Sequence, residues 1–153
     1  MSADDSHTGA DFEAIYRAHR DWAVGLAYRF CGDRDEALDV MQEAFAYLWK
    51  RLPLRVKATT LLYPVVKHLA LDRRRRRRAQ ALPEEIEGAR GIPDDMRDLL
   101  APLSEDHREV VLLRFAQGLD LAEIAEVLRV PLGTVKSRLH YALAELRKKL
   151  GGD

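Results

Sequence analysis

A single cysteine, Cys31, is all the thiol this chain carries, which excludes a disulfide framework and a cysteine zinc site at once. The five histidines, His7, His19, His68, His107 and His140, are scattered, and none has metal-ligand spacing to another or to Cys31. No metal is expected. The glycines form no phosphate-cradling loop, so no nucleotide cofactor is expected either. Cys31 lies at a helix end beside an acidic segment, which does not lower a thiol pKa, and it reads as structural. Glu84-Glu85 and Asp94-Asp95 lie in a linker or at a helix start, where solvation is their role, not catalysis. The reading is of a protein that is not an enzyme. No apolar run approaches the roughly 20 residues of a membrane span. The acidic start, Met1 to Asp11, is unlike a signal peptide. A cytoplasmic chain is the expectation. Alternating strand patterns and internal repeats are absent too, which leaves an all-α chain.

What the sequence has in quantity is charge, and it is distributed unevenly. Formal net charge is zero over 153 residues, with 33% charged and 47% hydrophobic positions, enough of the latter for packed cores. Residues 51–80 nevertheless hold ten Lys or Arg against one acidic residue. Residues 1–50 and 81–110 are acidic, and residues 111–153 are mildly basic. Nucleic-acid affinity follows local basic surface and not the whole-chain average, so neutrality does not exclude DNA.

Taken in order, residues 1–10 are polar and expected to be disordered. Phe12, Ile15, Trp22, Ala23, Leu26 and Phe30 mark a first amphipathic helix from Asp11, ended by Cys31-Gly32. Asp33 to Glu36 has capping-box spacing and opens a second helix, running to about Leu52 before Pro53. Ala37, Val40, Met41, Ala44, Leu48 and Leu52 form its inner stripe; Asp39, Gln42, Glu43, Ala46 and Lys50 lie on the other side. Spacing alone favours plain solvent exposure for Asp39, Gln42 and Glu43. A third helix is expected from about Thr60 to Arg78, with Leu62, Val65, Val66 and Leu69 inward, Pro64 in its first turn, and Tyr63, Lys67 and His68 on the less apolar side. It ends in six consecutive arginines, Arg73 to Arg78, whose mutual repulsion calls for an opposing anion such as a phosphate backbone. Residues 79–93, with Pro83, Gly88, Gly91 and Pro93, read as a flexible linker between two helical domains, 11–78 and 94–150.

The second domain begins with a short helix, 94–101, then a helix capped by Ser104 and running to Gln117, with Val110 to Leu113 and Phe115 as core. Gly118 ends it. Asp120 to Glu123 is another capping box, Ile124, Ala125 and Leu128 form a short inner face, and Arg129-Val-Pro131 breaks the helix before Leu132. Leu132, Val135, Leu139, Leu143, Leu146 and Leu150 then mark one face of a last helix. Thr134, Ser137 and Tyr141 occupy the opposite face, flanked by Arg138 on one side and Lys136 and His140 on the other. Two short helices joined by a tight turn, with small polar and basic residues outward, make a helix-turn-helix with a DNA-reading second helix.

Several stretches taken together resemble the extracytoplasmic-function (ECF) class of bacterial sigma factors over about residues 11–150. They are Gly32-Asp-Arg-Asp-Glu-Ala37, Asp39-Val-Met-Gln-Glu-Ala-Phe45, Leu48-Trp49, Leu69-Ala-Leu-Asp-Arg-Arg74, Glu123-Ile-Ala125 and Gly133-Thr-Val-Lys-Ser-Arg138. The resemblance implies a region 2 domain and a region 4 domain that together bind RNA polymerase core and direct it to promoters, with no cofactor. Asp39, Gln42 and Glu43 would dock on the clamp helices of the polymerase β′ subunit, which gives the polar stripe a partner that spacing alone does not supply. The β flap, promoter DNA and an anti-sigma factor are the other implied partners. Tyr63, Lys67, His68, Arg73, Arg74, Arg76 and Arg77 would serve the minus-ten element and its melting. Thr134, Lys136, Ser137, Arg138 and Tyr141 would serve the minus-thirty-five element.

This chain departs from the family pattern at Leu61, Pro64 and His68, where Trp, Arg and Asn are usual, and at Arg129, where Gly is common. An Arg there must accept a positive φ, or the turn must differ. Two other readings stand beside the sigma factor. One is a stand-alone helix-turn-helix regulator, which needs a dimer to span two half-sites although no heptad seam is evident. The other is a degenerate sigma-like protein that titrates an anti-sigma factor.

Overall fold

The computed structural model describes residues 2–80, 92 and 94–151, with the side chains of residues 2–8 and 10 outside the description. Among the described residues the chain is helical without strands, and it divides into two compact units, Met1–Gly91 and Ile92–Asp153. Most of the expected linker, residues 81–91 and 93, lies outside the described residues.

The first unit packs three helices: α1 (Ser2–Cys31), α2 (Arg34–Trp49) and α3 (Ala58–Gln80). α1 starts upstream of Asp11. Gly32 takes the left-handed conformation after it, φ 72°, and its N–H closes the helix onto the Tyr28 carbonyl. Asp33 then caps α2 by accepting from the Glu36 N–H at 2.9 Å. α2 ends at Trp49, three residues before the expected stop, and its buried stripe is Ala37, Val40, Met41, Ala44, Phe45 and Leu48. These side chains meet Ala23, Leu26, Ala27 and Cys31 of α1 and Leu62, Tyr63, Val66 and Ala70 of α3, all buried. At the outer end of this core, Phe12 sets its ring edgewise to Phe45 and Trp49, and Tyr16 does so to Phe45.

α3 differs from expectation in two ways. It begins at Ala58, so Pro64 falls in the second turn and removes the N–H that would reach the Thr60 carbonyl. The buried stripe also rotates to take in Tyr63, 2% exposed and edge-on to Phe30 at 6.5 Å, in place of Val65 and Leu69, which are only half-buried. The physical reason is size. Tyr63 is the largest side chain in the stretch, and α1 offers an aromatic wall where it can bury its ring.

The second unit holds α4 (Asp94–Leu100), α5 (Glu105–Val111), α6 (Leu121–Leu128) and α7 (Leu132–Lys149). Leu100, Leu103, Val111, Leu112, Ala142 and Leu146 form one core cluster. Ser104 caps α5 by accepting from the His107 N–H at 3.2 Å. α5 does not run regularly to Gln117, since residues Leu112–Ala116 form a wider π turn in which the Gln117 N–H reaches the Leu112 carbonyl. That widening turns Phe115 outward to 63% exposure, against the expectation of a core residue, while Leu119 fills the interior at 1%. Asp120 and Glu123 form the complete reciprocal capping box of α6. The α6–α7 turn closes with Arg129 at φ 58° and ψ 46°, its N–H and that of Val130 both donating to the Ala125 carbonyl. The side chain therefore does accept the left-handed strain.

Candidate functional site

α7 follows the α6 turn directly, and its sides are unequal. Val135, Ala142 and Leu146 are buried; Lys136, Ser137, His140 and Tyr141 are exposed, and Thr134 is half-buried. Leu132 and Leu150, expected on the inner face, lie at the helix ends and are 41% and 72% exposed. Tyr141 stands outward at 58%, edgewise to His140. Arg138 does not stand free. Its guanidinium reaches back to Asp106 of α5, Nη2 to Oδ2 3.7 Å. The outward row therefore carries one lysine, two hydroxyl side chains, a tyrosine and an arginine steadied by an acid. That is a donor-rich surface carried on a single helix, the element that a major groove admits.

Sequence reasoning passed over two features of this unit. Arg114 lies in the π turn, donates to the Leu119 carbonyl at 3.3 Å and stands 5.9 Å from the Phe115 ring. Asp106 reads as an ordinary first-turn acid until its arginine partner is seen. Neither has a spacing signal, because a π turn is not written in the apolar period and the Asp106–Arg138 pair joins two different helices.

In the first unit the arginine run separates into distinct jobs. One turn apart, Arg73 and Arg77 face α2. Arg73 donates from Nη2 to Glu43 Oε1, and its Nη1 is 3.8 Å from Asp39 Oδ2. Arg77 donates to Glu36 Oε2 at 2.5 Å and to the Cys31 carbonyl. Glu36 thus takes a tertiary partner and does not complete the capping box that its spacing announces. Arg75 and Arg76 close on Asp72 at 2.6 and 2.9 Å. The Arg75 hydrogen bond, with help from the charges of Arg76, Arg75 and His68, holds the Asp72 carboxyl below its ordinary pKa. Arg74 and Arg78 have no anionic partner among the described residues.

The remaining α3 candidates are equally uneven. His68 is exposed. The Lys67 ammonium lies 5.6 Å from the Phe30 ring and 5.9 Å from the Tyr63 ring. Tyr63 itself is sealed in the core and offers no face to a base. Asp39, Gln42 and Glu43 are exposed on α2, as the spacing predicts. At the end of α1, burial first of all pushes the Cys31 thiol above its ordinary value of 9.0; its hydrogen bond to the Asp33 carbonyl and the charge of Arg77 pull the other way. Among the described residues no group of His, Cys, Asp and Glu could hold a metal ion, and no helix is long and apolar enough to cross a membrane.

Comparison with known proteins matches each unit separately. The Sigma-70 region 2 family model matches residues 15–80, and that for Sigma-70, region 4 matches residues 99–148. The ECF RNA polymerase sigma factor SigW of Bacillus subtilis (strain 168) is 30% identical over 165 residues, covering 91% of this chain and 88% of the relative. SigL of Mycobacterium tuberculosis (strain ATCC 25618 / H37Rv), also an ECF RNA polymerase sigma factor, is 32% identical over 157 residues, covering 90% and 87%. Among solved structures, the co-crystal structure of the sigma factor RpoE with the anti-sigma factor NepR from Bartonella quintana matches with a TM-score of 0.59. That match covers 95% of this chain and 97% of the other at 22% identity, and so speaks to fold.

Proposed function

The chain belongs to the ECF class of bacterial sigma factors, and from that premise we propose how its residues divide the work of binding RNA polymerase core and initiating at promoters. The carrying observation is that region 2 and region 4 matches fall on separate compact units within one chain. ECF sigma factors act as initiation factors. This chain accordingly performs no catalysis of its own and works in the cytoplasm, where its polymerase is.

In this reading Asp39, Gln42 and Glu43 form the polymerase-docking face of region 2. Lys67, His68, Arg74 and Arg76 serve the minus-ten region, with Arg78 added because it is exposed and has no acidic partner among the described residues. Tyr63 is set aside because its ring is buried. Arg73 and Arg77 are set aside because carboxylates of α2 already hold them in sheltered positions, whereas Arg76 pairs only within its own helix, with Asp72, and stays 70% exposed. Separated bases are then held chiefly by backbone charge and by His68, a narrower set of contacts than the sequence suggests.

In region 4, Thr134, Lys136, Ser137, Arg138 and Tyr141 meet the minus-thirty-five element, each good base contact worth about 1–3 kcal/mol. Modest affinity suffices there because polymerase tethers the domain to the same DNA. The sigma factor of the co-crystal structure is bound to an anti-sigma factor. An anti-sigma protein is accordingly a proposed partner here, alongside the β′ clamp helices and β flap. In vitro transcription with core polymerase on genomic fragments tests the whole reading. Specific initiation is expected, and core binding without initiation at any promoter would overturn it in favour of a titrating sigma-like protein.

A further inference from the structure

Resting on the docking face just proposed, we infer that Arg73 is a positioning residue for polymerase binding: its guanidinium clamps the Asp39 and Glu43 carboxylates into a fixed acidic fork. The two acids stand one turn apart on α2, where like charges repel. Arg73, 30 residues later on α3, reaches both, engaging Oε1 of Glu43 and Oδ2 of Asp39. The guanidinium is sheltered, its side chain 23% exposed, while the acids remain 50% and 64% exposed. One oxygen of each carboxylate faces the arginine. Glu43 Oε2 and Asp39 Oδ1 have no partner among the described residues.

This is the arrangement of a presented surface. An exposed ion pair adds little to fold stability, but one arm of this planar cation hydrogen-bonds Glu43 while the other holds Asp39 by charge at 3.8 Å, which restrains two flexible acids at once. A cationic partner then meets carboxylates already in place, and the ordering cost of those side chains is not levied on docking. The same geometry withdraws Arg73 from the DNA-binding set, although it stands within a run of six arginines. Arg77, one turn on, makes the corresponding reach to Glu36 but also closes the Cys31 carbonyl, so its role is in the fold.

The test measures affinity of the full-length chain for RNA polymerase core enzyme, with unfolding of each variant followed in parallel. Asp39→Asn and Glu43→Gln report on the docking face; Arg73→Ala and Arg73→Lys report on the clamp. Arg73→Ala is expected to weaken core binding about three- to tenfold. Arg73→Lys, which keeps the charge but loses the fork, should fall between it and the wild type. In a Glu43→Gln background, Arg73→Ala should add little. Such coupling is a readout that a purely structural tie would not produce. If Arg73→Ala does not fold, the Arg73→Lys comparison alone decides. Unchanged core affinity for the Arg73 variants, with Asp39→Asn and Glu43→Gln weakened, overturns the clamp and leaves the docking face standing. Unchanged affinity for the two acid variants overturns the docking face itself. Loss confined to promoter binding by preassembled holoenzyme makes Arg73 a DNA contact and also overturns the clamp.

Discussion

Replacing Arg129 by Gly should stabilise region 4, and replacing it by Ala should not. Arg129 holds φ 58° and ψ 46° while the N–H groups of residues 129 and 130 cap α6 on the Ala125 carbonyl. A side chain with a Cβ is strained there by about 1–2 kcal/mol. Glycine escapes that strain but adds about 0.4–1 kcal/mol of unfolded-chain entropy, so the net gain for Arg129→Gly spans about 0–1.6 kcal/mol and centres on about 0.5–1 kcal/mol. Alanine keeps the Cβ and loses only an exposed side chain, so it should lie within about 0.5 kcal/mol of wild type. In a unit as small as Ile92–Asp153, the glycine gain corresponds to a rise of about 2–8 °C in its melting temperature. Hydrogen exchange of the α6 and α7 amides in the full chain separates this unit from region 2, and exchange should slow in the glycine variant alone. If Arg129→Ala proves as stable as Arg129→Gly, the strain argument fails and the Arg side chain makes a contribution of its own.

Three other outcomes follow from the geometry. Arg77→Ala should cost region 2 about 1–2 kcal/mol in urea unfolding, because a half-buried ion pair and the hydrogen bond to the Cys31 carbonyl go together; a loss under about 0.3 kcal/mol, below the value of even one weak hydrogen bond, would contradict this. Asp106→Ala should release Arg138 and reduce discrimination between promoters that differ in the minus-thirty-five element by up to about fivefold, while affinity for unrelated DNA rises at low salt; unchanged discrimination in competition binding would count against it. Cys31, 1% exposed, should react with iodoacetamide far more slowly in the folded protein than in urea. Its folded pKa lies above 9.0, so the folded state keeps this proton longer than the unfolded chain does. The stability linked to it is therefore full below pH 9.0 and declines as pH rises through the folded value, which pH-dependent unfolding in the alkaline range checks.

Much of the fold was legible along the chain because its rules act within one helical turn. Asp33 and Asp120 announce their caps, Gly32 and Gly118 their left-handed stops, and the apolar spacing of the last helix the burial of Val135 and Leu146, though not that of Ala142. The outward row Lys136, Ser137, Tyr141 follows from the same period. The exposure of Asp39, Gln42 and Glu43 is likewise local, although a partner for them came only from family resemblance.

Pairings between helices were not legible. Six identical arginines look alike in a sequence, yet separations of 30 and 41 residues determine that Arg73 meets Glu43 and Arg77 meets Glu36. Glu36 has two competing uses, and the tertiary cation displaces the capping box that the local pattern announces. Tyr63 goes inward because α1 places Phe30 beside it. A π turn after Val111 rotates Phe115 outward without any mark in the apolar spacing. Local periodicity specifies which face a residue is on. The reach of a long charged side chain, and the choice among its partners, depends on how the helices are packed, and that geometry exists only in the folded chain.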